Sequence, residues 1–277
     1  MTHLHLQLTR RNGETGSMSV SISLQDRVAL VTGGSRGIGA ATVRLLGQAG
    51  AKVVFNYQKA REAADSLVRE CGQDRTHAVA CDLTGTETAQ ALVAAAVQRF
   101  GRLDILVVNH GVWPEQDAGI DQMPDTQWRN TLAINLDSVF AITKHAVAQM
   151  KKQPRQGAAA GHIVLVSSTS GQRGEAFHVD YSASKGAIIS MTKSLSSELV
   201  RQSIYVNCVA PGWVDTDMSA GALADAKISA AVLGTIPLGR VGTPAEIAGP
   251  IVFLCTEMAG FISGEIFNVN GGAVLAG

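Results

Sequence analysis

Short apolar runs alternate with longer amphipathic stretches along this sequence, and the alternation limits the possible folds more than any other feature. The apolar runs are rich in valine and isoleucine, as buried parallel strands are, and they cover residues 27–31, 52–56, 77–81, 105–108, 163–166, 204–209 and 266–269. Helical patterns lie between them, over residues 38–49, 60–71, 86–99, 126–152, 182–202 and 244–258. Repeated strand–helix units build parallel sheets through right-handed crossovers. We therefore predict an α/β fold with one doubly wound, seven-stranded parallel sheet and helices on both faces.

The first predicted strand leads into a glycine-rich turn, Thr32-Gly33-Gly34-Ser35-Arg36-Gly37-Ile38-Gly39, and then into a helix. Glycines there allow a tight turn and the close approach of a pyrophosphate, and the helix N-terminus offers free N–H groups and the positive end of its dipole. This context predicts a Rossmann-type NAD(P)-binding catalytic domain over residues 25–277. We expect residues 1–24 to be a flexible extension and find no linker that would separate a second domain.

The residues at the end of the second strand bear on the choice of coenzyme. A site that prefers NAD usually has Asp or Glu at this position, bonded to the ribose 2′-OH. This strand ends in Phe55-Asn56-Tyr57 and carries no carboxylate, while Arg36 in the glycine-rich turn could pair with a 2′-phosphate. We predict NADP as the cofactor, with NAD as the alternative.

Composition excludes several other functions. The 23 basic residues balance the 23 acidic ones, so nothing favours nucleic acid or an anionic membrane as a partner. No apolar run is long enough for a membrane span. Cys71, Cys81, Cys208 and Cys255 show neither a CxxC spacing nor a nearby histidine pattern, so we predict buried thiols and no metal site. Together these features predict a soluble cytoplasmic protein.

Tyr181 and Lys185 are the residues that most directly suggest chemistry. Residues four apart on a helix share a face, so the Lys185 ammonium can approach the Tyr181 phenol. A nearby cation stabilises the phenolate and is expected to lower the phenol pKa from its ordinary value of about 10. Ser168, at the end of an apolar run, could hydrogen-bond a substrate oxygen on which charge develops. The three residues predict general acid–base chemistry on a carbonyl or an alcohol.

These motifs together resemble the short-chain dehydrogenase/reductase family over about residues 25–274. The glycine-rich turn matches the family's TGxxxGxG motif, and Ser168, Tyr181 and Lys185 match its serine and YxxxK. The resemblance implies that Asn135 is a fourth catalytic residue, which holds a water linking Lys185 to solvent. It also implies that Lys185 binds the nicotinamide ribose. The cofactor-binding residues that we predict are Gly33, Ser35, Arg36, Gly37, Ile38, Gly39, Asn56, Asp82, Leu83, Asn109, Gly111, Tyr181, Lys185, Pro211, Gly212, Val214 and Thr216.

One segment departs from the family pattern. Family members often have Asn-Asn-Ala-Gly after the fourth strand, and this chain has Val108-Asn109-His110-Gly111. Asn109 and Gly111 remain, so we expect the turn near the adenosine ribose to be kept. We expect His110 to serve packing or solvation rather than catalysis.

The pattern within the family is most similar to that of 3-oxoacyl-(acyl-carrier-protein) reductases, which implies reduction of a ketone such as a 3-oxoacyl thioester, with acyl carrier protein as a partner. A sugar or secondary-alcohol dehydrogenase and a non-catalytic NADP sensor are the alternatives. We predict a substrate pocket from Trp113, Pro114, residues 171–179 and residues 213–218, and a lid over residues 216–240. The resemblance also implies a homotetramer formed through the helices near 126–152 and 182–202 and the C-terminal strand.

Overall fold

Seven parallel strands form the centre of the fold in the computed structural model, which describes residues 5–9, 15–19 and 22–275. In chain order the strands are β1 (His5–Thr9), β2 (Thr15–Ser19), β3 (Val28–Thr32), β4 (Lys52–Tyr57), β5 (Thr76–Ala80), β6 (Ile105–Val108), β7 (Gly161–Val166), β8 (Ile204–Pro211) and β9 (Ile266–Val269). The central sheet has the order β5-β4-β3-β6-β7-β8-β9. β1 and β2 pair only with each other, antiparallel, in a separate two-stranded sheet.

Ten helices connect or follow the strands in the described part of the chain. They are α1 (Gly37–Gln48), α2 (Arg61–Cys71), α3 (Thr86–Phe100), α4 (Asp125–Leu132), α5 (Ser138–Met150), α6 (Thr169–Arg173), α7 (Val179–Leu199), α8 (Asp217–Ala224), α9 (Ala226–Gly234) and α10 (Pro244–Leu254). A π-helical turn over Ala133–Asp137 joins α4 to α5. The predicted helix over 126–152 is therefore one continuous helical stretch with a widened turn inside it.

The predicted doubly wound sheet is confirmed, and burial explains why its strands read as unbroken apolar runs. Successive side chains of a strand point to opposite faces. Val31 in β3 belongs to a core cluster with residues of α1, α2 and α10 on one face, and its neighbour Leu30 belongs to a second cluster with residues of α3, α5 and α7 on the other. Because both faces are covered, no position in β3 can be polar without a partner, and all five of its residues are buried.

The strand order places a crevice at the carboxyl ends of β3 and β6. The chain runs from β3 outward to β5 and then returns to β6 on the other side of β3. Doubly wound sheets bind ligands at such a reversal of strand order. The glycine-rich turn, the segment after β6, Ser168 after β7 and Gly212 after β8 all follow carboxyl ends of strands, so the topology gathers them at one edge.

The last long helix is shorter than the sequence predicts. The predicted helix over 244–258 ends at Leu254, because Thr256 has an extended backbone (φ −100°, ψ 163°) before a short 3₁₀ turn over Glu257–Ala259.

Flexibility of residues 1–24 stays a prediction, and residues 1–4, 10–14 and 20–21 lie outside the described residues. Leu24 itself is buried, and its N–H donates to the Ala49 carbonyl at 2.7 Å. No helix among the described residues has the length and apolar character needed to cross a bilayer.

Candidate active site

A cavity of about 470 Å³ opens at the carboxyl edge of the sheet, and it brings together nearly all the predicted site residues. Gly39 and Asn135 are the two predicted site residues that do not line it. The predicted residues on its wall are Gly33, Ser35, Arg36, Gly37, Ile38, Asn56, Asp82, Leu83, Asn109, Gly111, Ser168, Tyr181, Lys185, Pro211, Gly212, Val214 and Thr216.

The glycines of the glycine-rich turn occupy positions where the backbone conformation or a close contact disfavours any side chain. Gly33 has φ +64° and Gly37 has φ +52°, in the left-handed region that favours glycine. A Cβ on Gly39 would lie 2.1 Å from the Gly33 carbonyl oxygen. Gly39 therefore sits behind the cavity wall, where it lets the first turn of α1 pack directly on the preceding loop.

Two asparagines predicted to contact the cofactor hold the backbone of this turn. Asn56 Oδ1 accepts the N–H of Gly33 at 2.9 Å, and Asn56 Nδ2 donates to the Cys81 carbonyl at 3.2 Å. Asn109 Nδ2 donates to the carbonyls of Thr32 and Gly33, each at 3.2 Å. Both side chains thus fix the turn from its two sides, and their amide groups are already engaged with protein backbone.

The start of α1 fits a pyrophosphate group. No side chain caps this helix terminus, and no acidic residue lies in its first turn. Its N–H groups and the positive end of the dipole therefore face the cavity without a competing protein acceptor. Arg36 lies at the N-cap position, and its Nη1 donates to Asp217 Oδ2 of α8 at 2.8 Å, with both side chains largely exposed. The exposed guanidinium can exchange this partner for another anion.

Ser168 lies beside Tyr181 on the cavity wall, where its hydroxyl lowers the pKa of the phenol. Ser168 begins α6 and accepts the N–H of Ser170 at 3.1 Å, while Tyr181 and Lys185 lie one turn apart on α7. α6 and α7 touch at Gly171, where a Cβ would lie 2.5 Å from the Lys185 carbonyl carbon. This close approach of two backbones brings the serine to the tyrosine.

Lys185 is buried between α7, β7 and the segment after β6. Its Nζ donates to the Val166 carbonyl at 3.0 Å and lies 5.7 Å from the centre of the Tyr181 ring. Burial lowers the pKa of Lys185 to about 8 and raises the pKa of Tyr181 to about 12, while the Ser168 hydroxyl opposes the rise at Tyr181. The net direction at Tyr181 is therefore upward, set by desolvation of the phenolate, and the lowering by Lys185 stays a prediction.

Asn135 lies in the π-helical turn and is completely buried. Its Oδ1 accepts the N–H of Val112 at 2.8 Å, and its Nδ2 donates to the Val112 carbonyl at 2.9 Å and to Ser184 Oγ at 3.3 Å. A Cβ on Gly111 would lie 3.1 Å from Asn135 Oδ1 and 3.4 Å from Lys185 Nζ. Asn135 therefore clamps the segment after β6 close to the lysine.

The predicted substrate pocket is present in part. Trp113, Trp213 and Met218 line the cavity, whereas Pro114 and Phe177 do not. Phe177 is mostly exposed and has a left-handed backbone (φ +64°). The Trp113 ring meets the Tyr181 ring edge-on, with 4.7 Å between centroids. The predicted lid segment contributes Thr216, Asp217, Met218, Ser219 and Ala222 to the wall through α8.

Sequence reasoning missed several residues that hold the catalytic groups. Ser167 Oγ donates to the Lys185 carbonyl at 2.8 Å, and Ser138 Oγ donates to the Ile134 carbonyl at 2.6 Å. Ser167 adjoins Ser168 in sequence, which is a weak signal. The main-chain partners at Val112, Val166 and Ile134 have no sequence signal at all, because any residue supplies a carbonyl. Across residues 5–9, 15–19 and 22–275, no three His, Cys, Asp or Glu side chains converge as a metal site would require.

The parallel sheet, the glycine-rich turn before α1 and the Ser168–Tyr181–Lys185 group, whose tyrosine and lysine are buried, define a dinucleotide-dependent oxidoreductase. Comparisons with known proteins agree. A family model described as enoyl-(acyl carrier protein) reductase matches residues 33–274. The chain belongs to the short-chain dehydrogenase/reductase family, whose members act on a carbonyl or hydroxyl group with a nicotinamide coenzyme.

Individual relatives cover almost the whole chain. It is 37% identical over 256 residues to a 3-oxoacyl-[acyl-carrier-protein] reductase of Synechocystis, covering 91% of this chain and 99% of that one. It is 38% identical over 250 residues to a cis-4-hydroxycyclohexanecarboxylate dehydrogenase of Sinomonas cyclohexanicum, covering 89% and 96%. The crystal structure of a glucose/ribitol dehydrogenase of this family from Brucella melitensis matches with a TM-score of 0.84 and 34% identity, covering 93% of this chain and all of that chain.

Proposed function

We propose that this protein is an NADP-dependent reductase that converts a ketone to a secondary alcohol, with a 3-oxoacyl thioester as the substrate class. The convergence of the Ser168 and Tyr181 hydroxyls on one cavity wall, with the Lys185 amine 5.7 Å from the centre of the Tyr181 ring, carries the proposal. A sensor that only binds nucleotide needs no buried proton donor at this position.

Tyr181 is the proposed general acid. A bound nicotinamide dinucleotide supplies the hydride that reduces the carbonyl carbon. The Tyr181 phenol, whose pKa burial raises to about 12, keeps its proton at neutral pH and can give it to the substrate oxygen as negative charge develops there. The Ser168 hydroxyl orients that oxygen, because it lies on the same cavity wall as the phenol and can donate a hydrogen bond to it. Lys185 supports the phenolate that remains after proton transfer, through its positive charge at short range.

The preference for NADP is supported by the adenosine end of the cavity. β4 ends without a carboxylate, and the Asn56 side chain at its end is committed to Gly33 and Cys81. Arg36 and Lys59 line this part of the wall and supply two positive charges. A guanidinium binds a 2′-phosphate with charge-assisted hydrogen bonds, whereas the 2′-OH of NAD offers no such partner.

The substrate class is supported by the apolar part of the wall and by the relatives. Trp113, Trp213 and Met218 suit an aliphatic or otherwise hydrophobic ketone. The Synechocystis relative is a 3-oxoacyl-[acyl-carrier-protein] reductase. The Sinomonas relative is a dehydrogenase of a hydroxylated carbocycle, which keeps a secondary-alcohol dehydrogenase as the second candidate. Acyl carrier protein as a partner, the homotetramer and a cytoplasmic location stay predictions.

The test compares kcat/KM for NADPH and NADH with acetoacetyl-thioester and with a panel of cyclic ketones and secondary alcohols. Replacing Arg36 with Gln should lower kcat/KM for NADPH by about 10- to 100-fold and leave that for NADH unchanged, since one charged hydrogen-bonding partner is lost. Arg44→Gln is the matched control, because Arg44 lies on the same helix and pairs with Glu70 away from the cavity. A wild-type preference for NADH would overturn the NADP assignment, and turnover only of alcohols or cyclic ketones would favour the second candidate.

A further inference from the structure

His110, one of the two positions at which the chain departs from the family's Asn-Asn-Ala-Gly pattern, sits at the centre of a short hydrogen-bonded chain. Its Nδ1 lies 2.7 Å from Thr32 Oγ1 at the end of β3, and its Nε2 lies 2.6 Å from Ser138 Oγ at the start of α5. Ser138 Oγ in turn donates to the Ile134 carbonyl at 2.6 Å, inside the π-helical turn. The imidazole thus bridges the glycine-rich turn and the helix that carries Asn135.

The partners determine which ring nitrogen carries the proton. A serine hydroxyl has a single proton, and that of Ser138 is directed to the Ile134 carbonyl. Ser138 Oγ must then accept from His110, so Nε2 bears the hydrogen. Nδ1 is left as an acceptor for the Thr32 hydroxyl, whose other acceptor, the Val107 carbonyl, is 3.5 Å away. The ring is neutral, and both of its nitrogens are satisfied.

The segment that follows His110 is the one that touches the catalytic groups. Gly111 lies against Asn135 Oδ1 and Lys185 Nζ, and both backbone polar groups of Val112 bond to Asn135. His110 fixes the start of this segment and Asn135 fixes its end. Rotation of the start would move Gly111 away from Lys185 and admit water to the amine.

We propose that His110 is a positioning residue: as a neutral Nε2–H imidazole, it ties Thr32 to Ser138 and the π-helical turn, and so holds Gly111 against Asn135 and Lys185. The functional consequence rests on the proposed function, since it concerns the two residues assigned to proton transfer there. The tautomer and the placement of Gly111 do not depend on which substrate the enzyme takes.

Three variants and one control test this role. His110→Gln keeps an N–H donor near Ser138, His110→Leu removes both hydrogen bonds at similar size, and Ser138→Ala removes the acceptor. His162→Leu is the matched control, because His162 is also buried and neutral but lies at the amino ends of the strands, away from the cavity. Each variant is checked first for folding by circular dichroism and for nucleotide affinity by calorimetry.

We expect His110→Leu and Ser138→Ala to lower kcat by about 10- to 100-fold, the cost of displacing catalytic groups by about 1 Å. The double variant that combines His110→Leu with Ser138→Ala should have a kcat no lower than that of either single variant, because both substitutions remove the same hydrogen-bonded link. His110→Gln should recover most of the activity. The pH dependence of kcat should also move upward in His110→Leu, since water at Lys185 relieves the burial that lowers its pKa to about 8. The other titratable groups in this environment are Tyr181, Cys208 and Asp82.

A readout independent of turnover is ¹⁵N NMR of the imidazole at neutral pH. The proposal requires the Nε2–H tautomer in the wild type. An Nδ1–H tautomer, an unchanged pH profile in His110→Leu, or a shift of equal size in His162→Leu would overturn it. If the wild type reduces no ketone but shows the Nε2–H tautomer, the proposed function fails while the placement of His110 stands.

Discussion

Two histidines with lowered pKa values, His110 and His162, should make this protein lose stability in mild acid. Burial lowers the pKa of His110 and of His162 from 6.5 to about 4 in each case. The Leu254 backbone partly opposes this lowering of the His162 pKa, and His162 Nδ1 is buried without a hydrogen-bond partner in the described structure. The unfolded chain binds a proton at each histidine near pH 6.5, whereas the folded protein resists protonation until about pH 4. Stability therefore falls as the pH drops through this window.

The magnitude follows from the difference between the folded and unfolded pKa values. Between pH 7 and pH 5 each histidine should remove about 2 kcal/mol from the free energy of unfolding, or about 4 kcal/mol together. This is a large share of the roughly 5–15 kcal/mol that stabilises a typical domain. The window lies above the ordinary pKa of carboxyl groups and below that of Lys185, about 8, so the histidines should dominate the slope.

The assay is urea unfolding at fixed protomer concentration, at several pH values between 5 and 7. His162→Gln should halve the pH slope, because it keeps a polar side chain at this position but cannot titrate. His77→Gln is the control, since His77 lies near the edge of the sheet and is outside the buried set. A flat profile in the wild type, or a slope that His162→Gln leaves unchanged, would refute this account of buried neutral imidazoles.

Three further predictions concern the site. Tyr181→Phe should lower kcat by about 100- to 10,000-fold with nucleotide affinity unchanged, as measured by stopped-flow absorbance and calorimetry; near-normal turnover would contradict the acid role. Gly39→Ala should abolish nucleotide binding, because its Cβ would lie 2.1 Å from the Gly33 carbonyl oxygen. Gly47→Ala is the matched control: a Cβ there would meet nothing within 4 Å, so this variant should raise the free energy of unfolding by about 0.5–1 kcal/mol, as measured by thermal unfolding. Asp217→Asn should lower the KM for NADPH by about 2- to 5-fold and leave that for NADH unaltered, because it frees Arg36 from an exposed ion pair; equal effects on both coenzymes would argue against a 2′-phosphate contact.

Much of the architecture could be read directly from the chain. Strands such as β3 and β6 are covered on both faces, so their sequences are nearly continuous apolar runs, Val-Ala-Leu-Val in β3 and Ile-Leu-Val-Val in β6. The glycine-rich turn can also be predicted from the sequence, because glycine is the residue that best tolerates the left-handed backbone at Gly33 and the close backbone contact at Gly39. The spacing of Tyr181 and Lys185 likewise follows from helical periodicity.

The roles of the asparagines could not be read in this way. Asn56 and Asn109 are predicted cofactor ligands, yet their amide groups bond to the backbone of the glycine-rich turn. An amide side chain suits a ligand and a main-chain carbonyl equally well, so residue type does not distinguish the two. The choice depends on which backbone groups the tertiary structure leaves without partners.

The sequence by itself determined the strand–helix alternation, the phosphate-binding turn and the residue types for acid–base chemistry, because each depends on local periodicity or local backbone freedom. Only the tertiary structure decided the electrostatics. Burial raises the pKa of Tyr181 where a neighbouring cation alone predicts a lower one, and it makes His110 a neutral link between β3 and α5. Desolvation and hydrogen-bond geometry depend on every element packed around a group, and those elements come from distant parts of the chain.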